Sequence, residues 1–585
     1  MGLHRRAPYP RPDGRGRLPV SPLREIDRPV PQSGSEVPAA SGNGTPSRVV
    51  PGPSGPGTTV TGAQSLIRTL VDAKVDVCFA NPGTSEMHFV AALDSVPEMR
   101  AVLALFEGVV TGAADGYGRM TDRPAATLLH MGPGFGNGIA NLHNARRAHT
   151  PIVNVVGEHA TYHARFDAPL QSDLVALART VSKWVRECSS SADFSADATD
   201  AVAAAMAAPC GSATMVMPAD ISWQTVGGTQ ARPRPLPPEG SVPAETIEAV
   251  RQVLMTGEPV TLLLGGRALR ERGLRAAASI AAATGSKLLA ETFPARLERG
   301  GDLPPIERLN YLGEMAIVEL AEVRHLVLVG TPAPASFFAY PDQVSELWSQ
   351  GCQLHVLAGP EHDLVGALES LAEAVSPAWA SGDQRALSGS GPEVSKSHPT
   401  GPLTLQSMAI AIASVLPEGA VVVDESNSAG MYLFGATARS PRHDLLTNCG
   451  GAIGLGLPVA TGAAIGAPDR PVICLQSDGS AMYTIQALWT QAREGLDVTT
   501  VILSNRSYAI LNLELARVGA GAGGPRAESL LELTGPELDF VSLSRGMGVP
   551  ATRATTAEEL VVQLQHALRE PGPHLIEAVL PEGLG

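Results

Sequence analysis

The chain has 585 residues, too many for a single core, and so divides into about three or four domains of ordinary size. A formal net charge of −15 argues against nucleic acid as a partner, because phosphate backbones need clustered Lys and Arg. No uninterrupted apolar run reaches the ~18–20 residues of a membrane span, and the six cysteines show no CxxC or His-paired spacing, so they read as reduced thiols of a cytoplasmic protein.

Residues 1–58 are rich in Pro, Gly, Ser and Arg, with eight Arg against four acids and almost no apolar periodicity. Such a segment cannot bury enough surface to offset its ordering entropy, which predicts a disordered extension or an over-called start. It lacks the apolar stretch of a signal peptide, and its prolines spoil the amphipathic helix of a transit peptide.

Strand and helix then alternate: a helix at 62–73, a strand at 77–80, the turn Asn81-Pro82-Gly83-Thr84, a helix at 85–93 and a strand at 102–105 followed by Glu107. A strand at 125–129, the turn Gly132-Pro133-Gly134, a helix at 139–148 and a strand at 152–156 continue the pattern. This rhythm implies a doubly wound parallel sheet over 59–225. Glu107 is either a helix-opening acid favoured by the dipole or a partly desolvated carboxyl able to hold a proton. His130, at the end of a strand, is either a hydrogen-bonded structural residue or a catalyst.

A Pro-rich stretch at 226–243 reads as a linker. A second α/β unit over 244–379 has strands at 260–264 and 326–329 and fades into a Ser/Gly-rich linker at about 380–402. Gly265-Gly266-Arg267 after its first strand has the makings of a phosphate cradle, as in a nucleotide or FAD site. A two-glycine turn is equally at home in a structural middle domain with a vacant nucleotide site, which is the reading adopted.

The last unit, 403–585, has a strand at 420–423, the loop Asp424-Glu425-Ser426-Asn427-Ser428, and a Gly-rich loop from Asn448 to Gly454. Charge-poor strands at 472–475 and 498–503 flank a helix expected at 482–493, so Asp478 and Asn505, 27 residues apart, emerge at the carboxyl edge of adjacent parallel strands. Ligands of open α/β sheets bind in that crevice. A hard cation such as Mg²⁺ wants about six oxygen ligands and is normally shared with phosphates. Asp478 offers charge, Asn505 a neutral carbonyl, and the backbone near Ser507 a third oxygen. Gly479 permits close approach to a phosphate, and Ser480 opens a helix whose free N–H groups favour an anion. The bland alternative is a strand-loop-helix turn with an Asp cap.

These motifs together resemble the thiamin diphosphate (ThDP) enzymes of the acetolactate synthase, benzoylformate decarboxylase and pyruvate oxidase family. The segment SDGSAMYT ending at Asn505 matches the family's GDG…N motif, with Ser477 in place of the first Gly, and LALFEGVVTGAADGYGR matches its cofactor-activating helix. The resemblance spans about 60–580. It implies three doubly wound α/β domains, with Glu107 hydrogen-bonding the aminopyrimidine ring. Asn427, Ser428, Gly479, Ser480 and Tyr508 would lie against the cofactor, and Gly451 and Ile453 would supply a carbonyl and an apolar wedge. Mg²⁺ would sit on Asp478, Asn505 and Ser507. His130 and Thr84 occupy positions that are polar active-site residues in the benzoylformate decarboxylase branch. That branch also has a second His from the middle domain, absent here, since no His lies between His163 and His325. Ile510, where relatives with room for an aryl group have Ala, suggests a small donor.

The implied activity is ThDP- and Mg²⁺-dependent cleavage or formation of the C–C bond next to a carbonyl. The donor would be a pyruvate-like 2-oxo acid, resolved by aldehyde release or by ligation to an aldehyde or second oxo acid. The family builds each site across two chains, so a homodimer or homotetramer is expected. An FAD-retaining acetolactate synthase and a catalytically silent ThDP-fold binding protein remain as alternatives.

Overall fold

The computed structural model describes residues 59–227, 231–341, 343–380, 398–520 and 523–582. The extension expected over 1–58 lies outside them, as do 228–230 of the first linker and 381–397 of the second.

Three largely parallel sheets carry the described chain, beside a two-stranded antiparallel pair of Val60–Thr61 with Thr225–Val226. The first has six strands in the order Arg100–Leu103, Val77–Asn81, Ala125–Leu129, Ile152–Glu158, Ser212–Pro218, Trp184–Glu187. The central strands read VCFAN, AATLL and IVNVVGE and are buried nearly throughout, as parallel strands covered on both faces must be. The second sheet has five strands, Glu307–Arg308, Lys287–Ala290, Val260–Leu264, His325–Val329, Gln353–Ala358. The third has seven: Leu297–Arg299, His443–Thr447, Ala420–Glu425, Val472–Ser477, Val498–Ser504, His574–Val579, Ala551–Ala554. Its edge strand Leu297–Arg299 comes from the middle of the chain and pairs antiparallel with His443–Thr447. Nothing in a three-residue segment marks that exchange in the sequence.

Each sheet has one place where the chain leaves a strand to opposite sides, the crevice in which open α/β sheets bind ligands. In the first it lies between Val77–Asn81 and Ala125–Leu129, in the second between Val260–Leu264 and His325–Val329, and in the third between Ala420–Glu425 and Val472–Ser477.

Local structure departs from expectation in three places. The strand expected at 102–105 is Arg100–Leu103, and the helix that follows begins at Glu107 itself, running Glu107–Thr121. The Gly132-Pro133-Gly134 turn is instead the first turn of the helix Met131–Arg147, where the missing proline N–H has no intrahelical partner to lose. The helix expected at 482–493 is split into Asp478–Ala481 and Ala487–Glu494. The interruption lets Thr484 donate its hydroxyl to the Gly454 carbonyl at 2.9 Å.

The first and third sheets meet through the Glu107–Thr121 helix and the Gly456–Gly466 helix, both rich in Gly and Ala. A Cβ on Gly116 would strike the Val459 carbonyl, and one on Gly462 would strike that of Ala113, so the small residues are what allows backbone-to-backbone packing. Arg119 secures the same junction: it pairs with Asp115 at 2.6 Å, both buried, and donates to the Thr447 carbonyl at 2.7 Å.

Candidate active site

At the crevice of the third sheet, Asp478 directly follows the strand Val472–Ser477 and is 2% exposed. Its Oδ1 accepts the Gly479 N–H at 2.7 Å and its Oδ2 the Arg506 N–H at 2.6 Å, the latter from a residue at φ 56° just past the neighbouring strand. Burial raises its pKa, while these amides and that of Asn505 pull against the rise. Asn505 is 4% exposed and accepts the Ser507 N–H on Oδ1 at 3.3 Å. Asp478, Asn505 and Ser507 therefore stand together at adjacent strand ends. Across the crevice Asn427, at φ 49°, donates from Nδ2 to Ser477 Oγ at 2.9 Å and Ser480 Oγ at 3.0 Å, with Ser428 next to it in the same short helical turn. The Tyr508 ring fills the space a Cβ on Gly479 would need, its Cε1 lying 2.5 Å from that position. Ile510 lies in the first turn of the helix Ala509–Arg517 and is partly buried.

The Gly-rich loop from Asn448 to Gly456 is fixed group by group. Asn448 accepts the Gly451 N–H at 2.9 Å and donates to the Ala452 carbonyl at 2.9 Å. Glu425, buried at the end of its strand, accepts the amides of Gly454 at 2.7 Å and Gly456 at 2.6 Å and the Gln476 side chain at 2.9 Å. Burial raises its pKa, opposed by those same donors. Among the described residues nothing donates to the carbonyl of Gly451, which sits at φ 78°. A Cβ there would lie 2.6 Å from the ring of Phe337, which packs on the rings of Phe293, Tyr311 and Phe338. Ile453 follows in the loop, partly buried. Sequence reasoning passed over Glu425 and Phe337. An acid inside the apolar run AVVVDE was the available signal for the first; nothing local marked the second.

In the first domain Glu107 opens its helix, 8% exposed, and accepts a hydrogen bond on Oε2 from Asn137 Nδ2 at 3.0 Å. His130 precedes the next helix at the sheet's crevice, its Nδ1 2.9 Å from Glu86 Oε2. Glu86 is fully buried and also accepts the Gly83 N–H at 2.7 Å. A carboxylate there only accepts, which places an imidazole proton on Nδ1 and makes Nε2 the acceptor nitrogen of the neutral ring. The hydroxyl beside His130 is that of Ser85, 3.2 Å from Nδ1; Thr84, expected there, is exposed. Thus the residues expected to bind metal and diphosphate come together in the third domain, and Glu107 and His130 form a separate group in the first.

The buried Asp478 with lone pairs to spare, the Asn427–Ser477–Ser480 cluster and the open Gly451 carbonyl fit ThDP and a divalent cation. The middle domain does not fit a flavin. The Gly266 N–H, which a diphosphate would need, donates to Glu291 Oε1 at 3.2 Å, and a Cβ on Gly265 would lie 2.9 Å from the same oxygen. The adjoining cleft of about 350 Å³ is lined by Arg119, Arg267, Arg270, Arg272 and Arg296 together with Asp122, Glu239 and Asp363.

Two family models match the chain: the thiamine pyrophosphate enzyme N-terminal TPP binding domain over 60–178 and the C-terminal TPP binding domain over 428–578. A Mycobacterium tuberculosis H37Rv protein named as an acetolactate synthase large subunit, IlvX, is 55% identical over 530 residues, covering 90% of this chain and 100% of that protein. Benzoylformate decarboxylase of Pseudomonas aeruginosa PAO1 is 30% identical over 533 residues, covering 85% and 95%. In fold, the chain is similar to a Rhodococcus jostii RHA1 ThDP-dependent 4-hydroxybenzoylformate decarboxylase, with TM-score 0.78 at 24% identity, covering 90% of this chain and 100% of that one.

Proposed function

The chain belongs to the thiamine pyrophosphate enzyme family, and from that premise we propose a cytoplasmic, ThDP- and Mg²⁺-dependent 2-oxo acid decarboxylase and carboligase with a small, pyruvate-like donor. The observation that carries this reading is the third-domain crevice. A buried carboxylate stands there beside Asn505 and a cluster of Asn and Ser side chains, and the carbonyl of Gly451 lacks a donor among the described residues.

When bound, ThDP supplies an acidic ring carbon that adds to the substrate ketone and takes up the electron pair left as CO₂ departs. In this chain Asp478, Asn505 and the Ser507 backbone would hold the cation that neutralises the diphosphate. Asn427, Ser428, Gly479 and Ser480 would face the phosphate oxygens, with Tyr508 alongside. Gly451 would accept from the cofactor's amino group, and Ile453 would prop its bend. Glu107, with Oε2 held by Asn137, would use Oε1 to exchange a proton at a pyrimidine nitrogen. His130, held by Glu86 through Nδ1, would move protons at the substrate through Nε2, and Ile510 would narrow the donor pocket. Glu107 and Asp478 lie in different domains, and a homodimer completing each site from two chains is part of the proposal.

The test assays purified protein with ThDP and Mg²⁺ against a panel of 2-oxo acids, following CO₂, free aldehyde and ligated product together. Pyruvate turnover at the higher kcat/KM supports the reading. A preference for phenylglyoxylate removes the argument from Ile510, and failure of ThDP to bind favours a silent binding protein.

A further inference from the structure

The helix Met131–Arg147 carries three asparagines, Asn137, Asn141 and Asn144, on one face, since positions i, i+4 and i+7 align on an α-helix. Asn137 Nδ2 donates to Glu107 Oε2 at 3.0 Å. Asn141 Nδ2 donates to the Gly108 carbonyl at 2.8 Å and to the Gly454 carbonyl at 3.3 Å. Asn144 Nδ2 donates to Asn141 Oδ1 at 3.0 Å and to the Ala452 carbonyl at 2.8 Å, while its Oδ1 accepts the Ala452 N–H at 3.1 Å. His143 adds a contact from Nε2 to the Gly450 carbonyl at 3.1 Å. Asn141 is 2% exposed and Asn144 0%, so neither amide has water to fall back on.

One amide nitrogen thus touches both the residue after Glu107 and the loop that presents Gly451 and Ile453. With the Gly450, Ala452 and Gly454 carbonyls and the Gly451, Ala452 and Gly454 amides met by side chains, the open Gly451 carbonyl is held in one direction by its neighbours' bonds. A buried donor that loses its acceptor is costly, so these contacts form or fail together.

We propose that Asn141, supported by Asn144, is a positioning residue that sets the Glu107 helix and the Gly450–Gly454 loop against each other as one rigid piece, with Asn137 orienting the Glu107 carboxylate. The inference rests on the ThDP reading only for what the loop is positioned to bind; the positioning itself is measurable without cofactor.

The experiment is hydrogen exchange by mass spectrometry on the full-length protein without ThDP, followed by calorimetric titration with ThDP and Mg²⁺. Asn141→Asp keeps the size and the acceptor for Asn144 but removes the donor to both carbonyls. Peptides covering 448–456 should exchange about tenfold faster, the scale of one lost hydrogen bond, and ThDP affinity should fall by a similar factor. Peptides from the first sheet should exchange as before. Asn137→Ala, at an exposed position, should leave loop exchange and ThDP affinity unchanged and lower kcat without raising KM for the 2-oxo acid. If Asn141→Asp does not fold, Asn144→Ser serves as the buried variant, with faster exchange expected over the same peptides. Unchanged loop exchange in the folded variant overturns the inference. Loop loosening with no ThDP binding even in the unmodified protein upholds it and overturns the ThDP reading instead.

Discussion

Two glycine-bearing turns follow strands of two sheets, and a nearby carboxyl bonds each one, yet they end up chemically opposite. In the third domain Glu425 ties down Gly454 and Gly456, at the far end of the loop, and leaves the Gly451 carbonyl open. In the middle domain Glu291 takes the turn's own amide at Gly266. Glycine in a strand-end turn shows that something comes close to the backbone. Whether that something is a ligand or the chain's own carboxylate depends on a residue some 25 or more positions away.

The comparison breaks most decisively at Asp478. If the third-domain crevice is the open one, Asp478→Ala removes the one charged side chain proposed to hold the cation and should weaken Mg²⁺-dependent ThDP binding by more than about a hundredfold, with the fold intact by circular dichroism. Calorimetry giving unchanged affinity would move the metal site elsewhere. Glu107→Gln acts on rate rather than binding. ThDP should remain bound, while deuterium exchange at its reactive carbon slows by about 10²- to 10⁴-fold, the usual scale of general acid–base catalysis. Exchange at the unmodified rate would make Glu107 a cap and no more.

His130 sharpens the first-domain side. With the middle domain presenting Phe337, not a titrating side chain, beside Gly451, His130 is the one imidazole assigned to proton delivery at the substrate. His130→Ala should therefore depress aldehyde release more than ligation from an aldehyde donor, by roughly tenfold in the ratio of the two rates. Equal losses in both would mean that His130 holds structure through Glu86 and moves no proton.

Much of this was legible in the sequence because parallel strands buried on both faces are written as short, charge-free runs. Asp478, Asn505 and His130 each directly follow such a run, so their place at a sheet edge could be read locally, whereas three residues separate Glu107 from the edge strand Arg100–Leu103. What escaped depends on distant partners. The strand Leu297–Arg299 joins a sheet whose other members begin more than a hundred residues later. Glu425 looked like one more acid in a loop until Gly454 and Gly456 folded onto it. Ser85 displaced Thr84 as the neighbour of His130 because a short helical turn starting at Thr84 rotates the two hydroxyls apart. The double-glycine turn of the middle domain gave no sign of Glu291, which arrives from the next strand's end.

Glu291 offers the finest test of the comparison, through stability. Burial raises its pKa to about 7 from an ordinary carboxyl value near 4.5, against the opposing pull of the Gly266 amide and Thr331. A carboxyl whose pKa is raised on folding stabilises the fold fully below its unfolded pKa, and that contribution is lost as pH rises through the folded value. The loss should therefore develop between about pH 4.5 and 7 and be complete above it. Glu291→Gln keeps a carbonyl to accept the Gly266 N–H and has no charge to acquire. Its melting temperature should match that of the unmodified protein near pH 5 and exceed it by several degrees near pH 8, since a rise from 4.5 to about 7 is worth ~3 kcal/mol. A constant difference across that range would mean that Glu291 does not titrate in the turn. FAD added to either protein should produce no bound flavin absorbance, because in both the amide a diphosphate needs is already engaged; flavin bound by the unmodified protein would erase the contrast between the two turns.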